Sequence, residues 1–414
     1  MDVSERDGKD ALKILGGSGD PMWDEAGSVK NKPREIPEGM VPPEESWVSF
    51  LESLYAPLPG LREMAVFELP VWHQLGRDVS EVVALSMRDP EPLVCRAAVV
   101  VAGRLRMSSE PVLQAITERL RTEQEPLLRR TMATALSRIG RPGFPGLVWL
   151  LGDRDAFVRQ FAAVALGDAG EEAIPCLLEA LTDERIRPFL APVLGQIGGP
   201  AVPGLLAALD ASNAAVQELA MDVLERIGPL TVEPLIEAVQ KGSVSRRNGA
   251  DALSRFGTGG VASLVRLMRG GDVSMRCWAA DVVVMIGRPA VPSVITMLRE
   301  EHVGISYLAG ETLVRLGACA IPELVQSLGT VTRSVRWIVG NILGRLGVEA
   351  VHALESAVAE GDPLTREAAA HTLGEMGETA WAALPTLEAV LKTEQEPFVQ
   401  DTIKKAIERL RQFE

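Results

Sequence analysis

The chain has 414 residues, a formal net charge of −14, 47% apolar residues and only 4% aromatic ones. That apolar content excludes wholesale disorder, the few aromatics exclude a conventional set of large cores, and the acidity argues against non-specific binding to nucleic acid or anionic membranes. The 38 glycines and 27 prolines are spread among abundant Ala, Leu, Val and Glu, so the expectation is a soluble, cytoplasmic, helix-rich chain with regular punctuation.

Residues 1–45 are polar, net acidic and rich in Gly and Pro. A disordered tail is expected there, with one helical turn near Asp10 to Leu15. The opening residues carry both charges and lead into no apolar stretch, so no secretory signal is expected. No apolar run approaches the length of a membrane-spanning helix, and the four cysteines show no CxxC spacing, which fits a reducing compartment.

From residue 46 a repeating unit takes over. Trp47 to Gly76 reads as a divergent first unit, and Asp89 to Arg106 as the second helix of another. A glycine then closes an apolar segment at Gly140, Gly170, Gly198, Gly228, Gly257, Gly287, Gly317, Gly347 and Gly377, with spacings of 28 to 30 residues. Four residues before each stands an aliphatic residue, among them Leu136, Leu166, Leu313 and Leu373. Small residues recur seven and eight before it, as in Ala162-Ala163 and Ala369-Ala370. These offsets form one stripe of a helix whose small residues admit a close neighbour, and the glycine suits a left-handed C-terminal cap.

After the glycine a shorter first helix begins. Pro145, Pro175, Pro203, Pro292 and Pro322 fall five residues beyond it, where the first helical turn tolerates a missing N–H. A polar turn joins the two helices, with Glu125, Asp155, Asp183, Asp272 and Asp362 as candidate N-caps. The last helix, Pro397 to Leu410, ends basic, and its lead-in from Lys392 nearly duplicates Arg121 to Pro126.

The segment from Asp155 to Gly167 reads Asp-x-x-Val-Arg-x-x-Ala-Ala-x-Ala-Leu-Gly, and Asp362 to Gly374 is nearly the same. This pattern resembles short HEAT repeats of the phycobilisome-lyase type. The resemblance implies an all-α, right-handed α-solenoid, with first helices outside and second helices lining a concave face. About twelve two-helix, HEAT-like repeats of about 30 residues would fill residues 46–414. Such a motif speaks for the fold and is nearly silent on function.

Two sets of columns carry candidate roles. Eleven residues before the glycine stand Arg129, Arg159, Arg187, Arg246, Arg276, Arg336 and Arg366. They are read as a structural ladder, each pairing with a capping acid or a carbonyl of an adjacent unit, in preference to an anion-binding stripe. Ten, six and two residues before it lie exposed positions of the second helix. There Tyr307, Trp337, Asp281, Glu311, Arg315, Asn341, Arg345, Asp251 and Arg255 are the candidate partner-binding residues. Exposed aromatics beside arginines are what binding hot spots favour. The competing reading is a same-helix Glu311–Arg315 pair and a Trp337 packed on its neighbours.

Catalytic and metal signals are weak. None of the four histidines precedes a glutamate, whereas deoxyhypusine hydroxylase, an iron enzyme of related repeats, is marked by His-Glu pairs. Cys277 and Cys319 have no helper histidine nearby. Bilin lyases share the repeat type, and HEAT-like DNA glycosylases use groove aromatics with an acid; both stand as alternatives. The favoured expectation is a non-catalytic scaffold without cofactor or metal, whose concave face holds a protein or peptide with a basic patch. Neither nucleic acid nor membrane is expected as a partner.

Overall fold

The computed structural model describes residues 44–300 and 302–413, excepting the side chain of Glu45. The tail expected over residues 1–45 lies outside them but for Glu44 and Glu45, which begin the first helix. The chain divides into two compact units, residues 1–200 and 201–414. Among the described residues all regular structure is helical.

In the N-terminal unit the helices are α1 (Glu44–Ser53), α2 (Pro59–Gln74), α3 (Ser80–Ser86), α4 (Pro92–Arg104), α5 (Glu110–Thr122), α6 (Pro126–Ile139), α7 (Phe144–Leu150), α8 (Ala156–Ala169), α9 (Ile174–Glu179) and α10 (Arg187–Ile197). The C-terminal unit continues with α11 (Val202–Ala208), α12 (Ala214–Ile227), α13 (Val232–Lys241), α14 (Arg246–Arg255), α15 (Thr258–Gly270), α16 (Val273–Ile286) and α17 (Val291–Met297). It ends with α18 (Val303–Leu316), α19 (Ile321–Ser327), α20 (Arg333–Leu346), α21 (Val348–Glu360), α22 (Pro363–Met376), α23 (Leu384–Leu391) and α24 (Pro397–Leu410).

Odd-numbered helices are the first helices of each repeat and even-numbered ones the second. Within each unit, second helices stack on second helices, as α4 on α6 on α8 and α16 on α18 on α20. First helices stack likewise, α3 on α5 and α19 on α21 on α23. Among the described residues each helix packs chiefly within its own repeat and on the adjacent one, which makes the architecture an all-α solenoid. No single helix among the described residues is long and apolar enough to cross a membrane.

The apolar stripe explains the stacking. Leu166, Leu313 and Leu373 are fully buried between layers, as are the small residues Ala162, Ala279 and Ala369. Where a small residue is Gly374, a Cβ would stand 2.9 Å from Cα of Ala406 on α24. The first repeat departs from this economy and fills its core with Trp47, Phe50 and Trp72, whose ring centroids lie 5.1 to 5.5 Å apart.

The closing glycines differ from the expected left-handed cap. Gly287 has φ 78° and ψ −142°, a region essentially reserved for glycine but not the left-handed helical one. This ψ turns the chain directly into the short 3-10 turn Arg288–Ala290 that starts α17, where Pro292 occupies the first turn. Gly242, which closes a first helix, does adopt the left-handed conformation, at φ 75° and ψ 13°.

The expected N-caps divide as well. The Asp155, Asp272 and Asp362 side chains accept from the amides of Phe157, Met275 and Thr365 at 2.8, 2.9 and 3.1 Å. Glu125 makes no side-chain cap bond; Glu123 instead accepts from the Gln124 and Glu125 amides, each at 2.8 Å. Asp183 accepts from the Arg185 amide at 2.9 Å, ahead of α10, whose N-cap residue Ile186 offers no side-chain acceptor.

Candidate functional site

The candidate surface is the exposed face of the second helices in the C-terminal unit. Tyr307 and Trp337 each occupy the fifth position of their helix, α18 and α20, so the stacked helices present them in matching places. Their stripe neighbours Ile305 and Val335 are buried, while the two rings remain 68% and 67% exposed. Rings of this size left so open against the solvent are unusual in a chain this poor in aromatics.

Ion pairs tie the helices beneath them. Arg315 of α18 reaches back to Asp281 of α16 at 2.8 Å. Arg345 of α20 grips both carboxylate oxygens of Glu311 of α18, at 2.5 and 3.0 Å. The Arg345 guanidinium holds Glu311 below its ordinary carboxylate value, and the neighbouring Tyr307 hydroxyl adds to this. Glu311 thus pairs across repeats and not with Arg315 on its own helix, since each arginine reaches one turn back along the preceding second helix. The Asn341 side chain is exposed and makes no hydrogen bond among the described residues.

Asp251 and Arg255 lie apart from this patch. They line an open cleft of about 800 Å³ between α12 and α14, with Gln217, Glu218, Arg247 and Asn248. Arg255 pairs with Glu218 across it at 2.6 Å. On one side of the cleft α14 starts late: Asp210 accepts from the Ser245 amide and hydroxyl, each at 2.7 Å, and the Ser245 hydroxyl accepts from the Asn248 amide. The helix begins at Arg246, three positions later in the repeat than its neighbours, ends one position earlier, and has ten residues where they have fourteen.

The arginine column takes three forms. Arg129, Arg336 and Arg366 reach acids of the following repeat, Asp153, Glu367 and Glu394, and also donate to turn carbonyls of their own repeat or its first helix. Arg159, Arg187 and Arg276 bond carbonyls only, at Asp153 (2.7 Å), Leu181 (3.0 Å) and Gly271 (2.6 Å), all within their own repeat. Arg246 stands outside the column's pattern. As the first residue of α14 its side chain makes no hydrogen bond among the described residues, while its carbonyl accepts from the Trp278 indole at 2.9 Å.

Some members were missed by the glycine offsets. Arg62 of α2 binds Asp89 at 2.8 and 3.0 Å and the Ala56 carbonyl at 2.9 Å, the same arrangement one repeat earlier. Its signal is a proline three residues ahead, shared by Pro59, Pro126 and Pro363. Gln217 and Gln400 substitute for arginine, donating to Ala211 and Glu394 carbonyls at 2.8 and 2.6 Å. Also missed were Phe157, Phe161 and Val164, exposed on α8 in the N-terminal unit; two of them stand outside the three columns, at thirteen and nine residues before Gly170.

Among the described residues no group of His, Cys, Asp and Glu is arranged to hold a metal ion. Burial pushes the Cys95 thiol up to about 11, away from nucleophilic use at neutral pH.

Among known proteins, a family model described as HEAT repeats matches residues 113–191 and 321–408. No curated protein matches the chain. A crystal structure of a Kap121p mutant aligns at TM-score 0.32 and 12% identity, over 91% of this chain and 46% of that one, so this chain spans about half of that protein's length. A structure from work on the interaction between cadherin and beta-catenin aligns at TM-score 0.31 and 12% identity, over 88% of this chain and 94% of that one. The chain carries HEAT repeats over residues 113–191 and 321–408.

Proposed function

We propose that this protein is a non-catalytic interaction scaffold that holds a partner protein or peptide on a concave face lined by second helices. The observation that carries this reading is the pair Tyr307 and Trp337, left two-thirds exposed at matching places on stacked helices. Rigid aromatics contribute large contact area at little entropic cost, and the ion-paired rungs Asp281–Arg315 and Glu311–Arg345 hold their helices in place beneath them. The net charge of −14 favours a partner with a basic patch, which speeds association and makes it salt-sensitive. The motif at Asp155 to Gly167 supports the phycobilisome-lyase type as the subtype of the repeats.

Affinity capture from the native host, read by mass spectrometry, tests this with the full chain and its Tyr307→Ala, Trp337→Ala double variant. A scaffold retains a defined protein that the variant loses while keeping its helical circular dichroism. Equal retention by both would remove the assigned face.

A further inference from the structure

We propose a second docking surface, on the second-helix face of the N-terminal unit, whose occupant is an acidic amphipathic protein segment. The first ground is charge segregation. In a chain of net charge −14, the successive second helices α4, α6 and α10 contain no Asp or Glu at all and α8 contains only Asp168, whereas α2 before them carries Glu63 and Glu68. Arginines recur along the same helices, while acids such as Glu118 and Glu179 lie on the first helices. Second helices of the C-terminal unit other than α20, by contrast, carry acids such as Glu218, Asp251, Asp281 and Glu311.

The second ground is exposed apolar surface among those cations. Phe157 is 71% exposed, and Leu127, Phe161 and Val164 are also open, on the stacked helices α6 and α8. Contiguous exposed apolar groups on a folded chain mark an interaction site more often than scattered ones do. Arg130 lies over the Phe157 ring at 4.8 Å, fixing a cation beside it. At the other end of the face Arg138 is exposed and forms no ion pair among the described residues, so it is open to a carboxylate.

A protein segment fits better than nucleic acid. Arg129, Arg159 and Arg187 are committed to Asp153 or to turn carbonyls, and Arg130 to Asp155. A phosphate backbone needs a long row of cations, since its binding rises with the number neutralised, whereas an acidic segment needs only one or two beside its apolar residues. The apolar groups include Leu127 and Val164, which offer no ring for base stacking. A segment with bulky apolar residues on one side and Asp or Glu beside them meets both features at once. This surface is independent of Tyr307 and Trp337, and its charge preference is the opposite.

The test uses a random peptide library displayed on phage, panned against the immobilised full chain and against its Phe157→Ser, Phe161→Ser variant. Both substitutions are at exposed positions, and circular dichroism checks that the variant folds. The expected result is enrichment of peptides combining bulky apolar residues with surplus Asp or Glu. Their binding should fall at least about tenfold on the variant and weaken as salt rises from about 0.05 to about 0.5 M. Enriched peptides that are neutral or basic, or that bind the variant equally, would overturn the proposal. So would Phe157-dependent retention of a single-stranded oligonucleotide, or Phe157-dependent self-association in sedimentation, which would assign the face to nucleic acid or to a second copy.

Discussion

Arg366 and Glu394 join the last two repeats through a two-point contact, with guanidinium nitrogens 2.7 and 2.9 Å from the two carboxylate oxygens. Glu394 is buried and also accepts the amides of Gln395 and Glu396 at 2.8 and 2.9 Å. The Arg366 hydrogen bonds, reinforced by those amides, hold the carboxyl down from 4.5 to about 2. A carboxylate depressed on folding stabilises the fold fully above its unfolded value and loses that contribution as pH falls through the folded one. Glu394→Gln should therefore cost about 3 kcal/mol at neutral pH, in the range for breaking a buried pair. The gap to wild type in urea titrations should close between pH 4.5 and about 2.

Gly287→Ala isolates the backbone requirement at the end of a second helix. A Cβ there meets no atom within 4 Å, so packing does not oppose it, while φ 78° with ψ −142° does. A loss of about 1–3 kcal/mol in denaturant titrations is expected. A neutral substitution would mean that the turn into α17 relaxes without the glycine.

Much of the fold is legible in the sequence because each repeat solves the same problem with the same residues. The glycine phase and the aliphatic residue four before it mark the ends and buried stripes of the second helices, as Leu166 and Leu373 show. What the sequence hid depends on stacking. Asp153 and Glu394 receive arginines from 24 and 28 residues away, and nothing local distinguishes them from other turn acids. The Arg345–Glu311 rung was hidden for the same reason, since Arg315 stands at the usual same-helix spacing from Glu311. The Ser245 cap of the late-starting α14 is held by Asp210, which lies 35 residues before it. Phe157 was overlooked because it sits in the first turn of α8, a place where apolar residues are common and ordinarily unremarkable.

The rung between Arg345 and Glu311 should matter more for holding α18 and α20 in register than for stability. Both side chains are partly exposed, so solvent screens the pair. A double-mutant cycle with Arg345→Ala and Glu311→Ala should give a coupling of no more than about 1 kcal/mol. Larger coupling would mean that the pair works as a structural clamp comparable with Arg366–Glu394.

The aromatic pair carries the central claim, that the second-helix face of the C-terminal unit binds protein. The most direct measurement is a calorimetric titration of the captured partner into the full chain and into the Tyr307→Ala, Trp337→Ala variant. With melting unchanged, the expected result is a loss of at least about a hundredfold in affinity, as removal of two hot-spot aromatics would cause. Affinity preserved within about threefold, against the loss that hot-spot truncation brings, would contradict it.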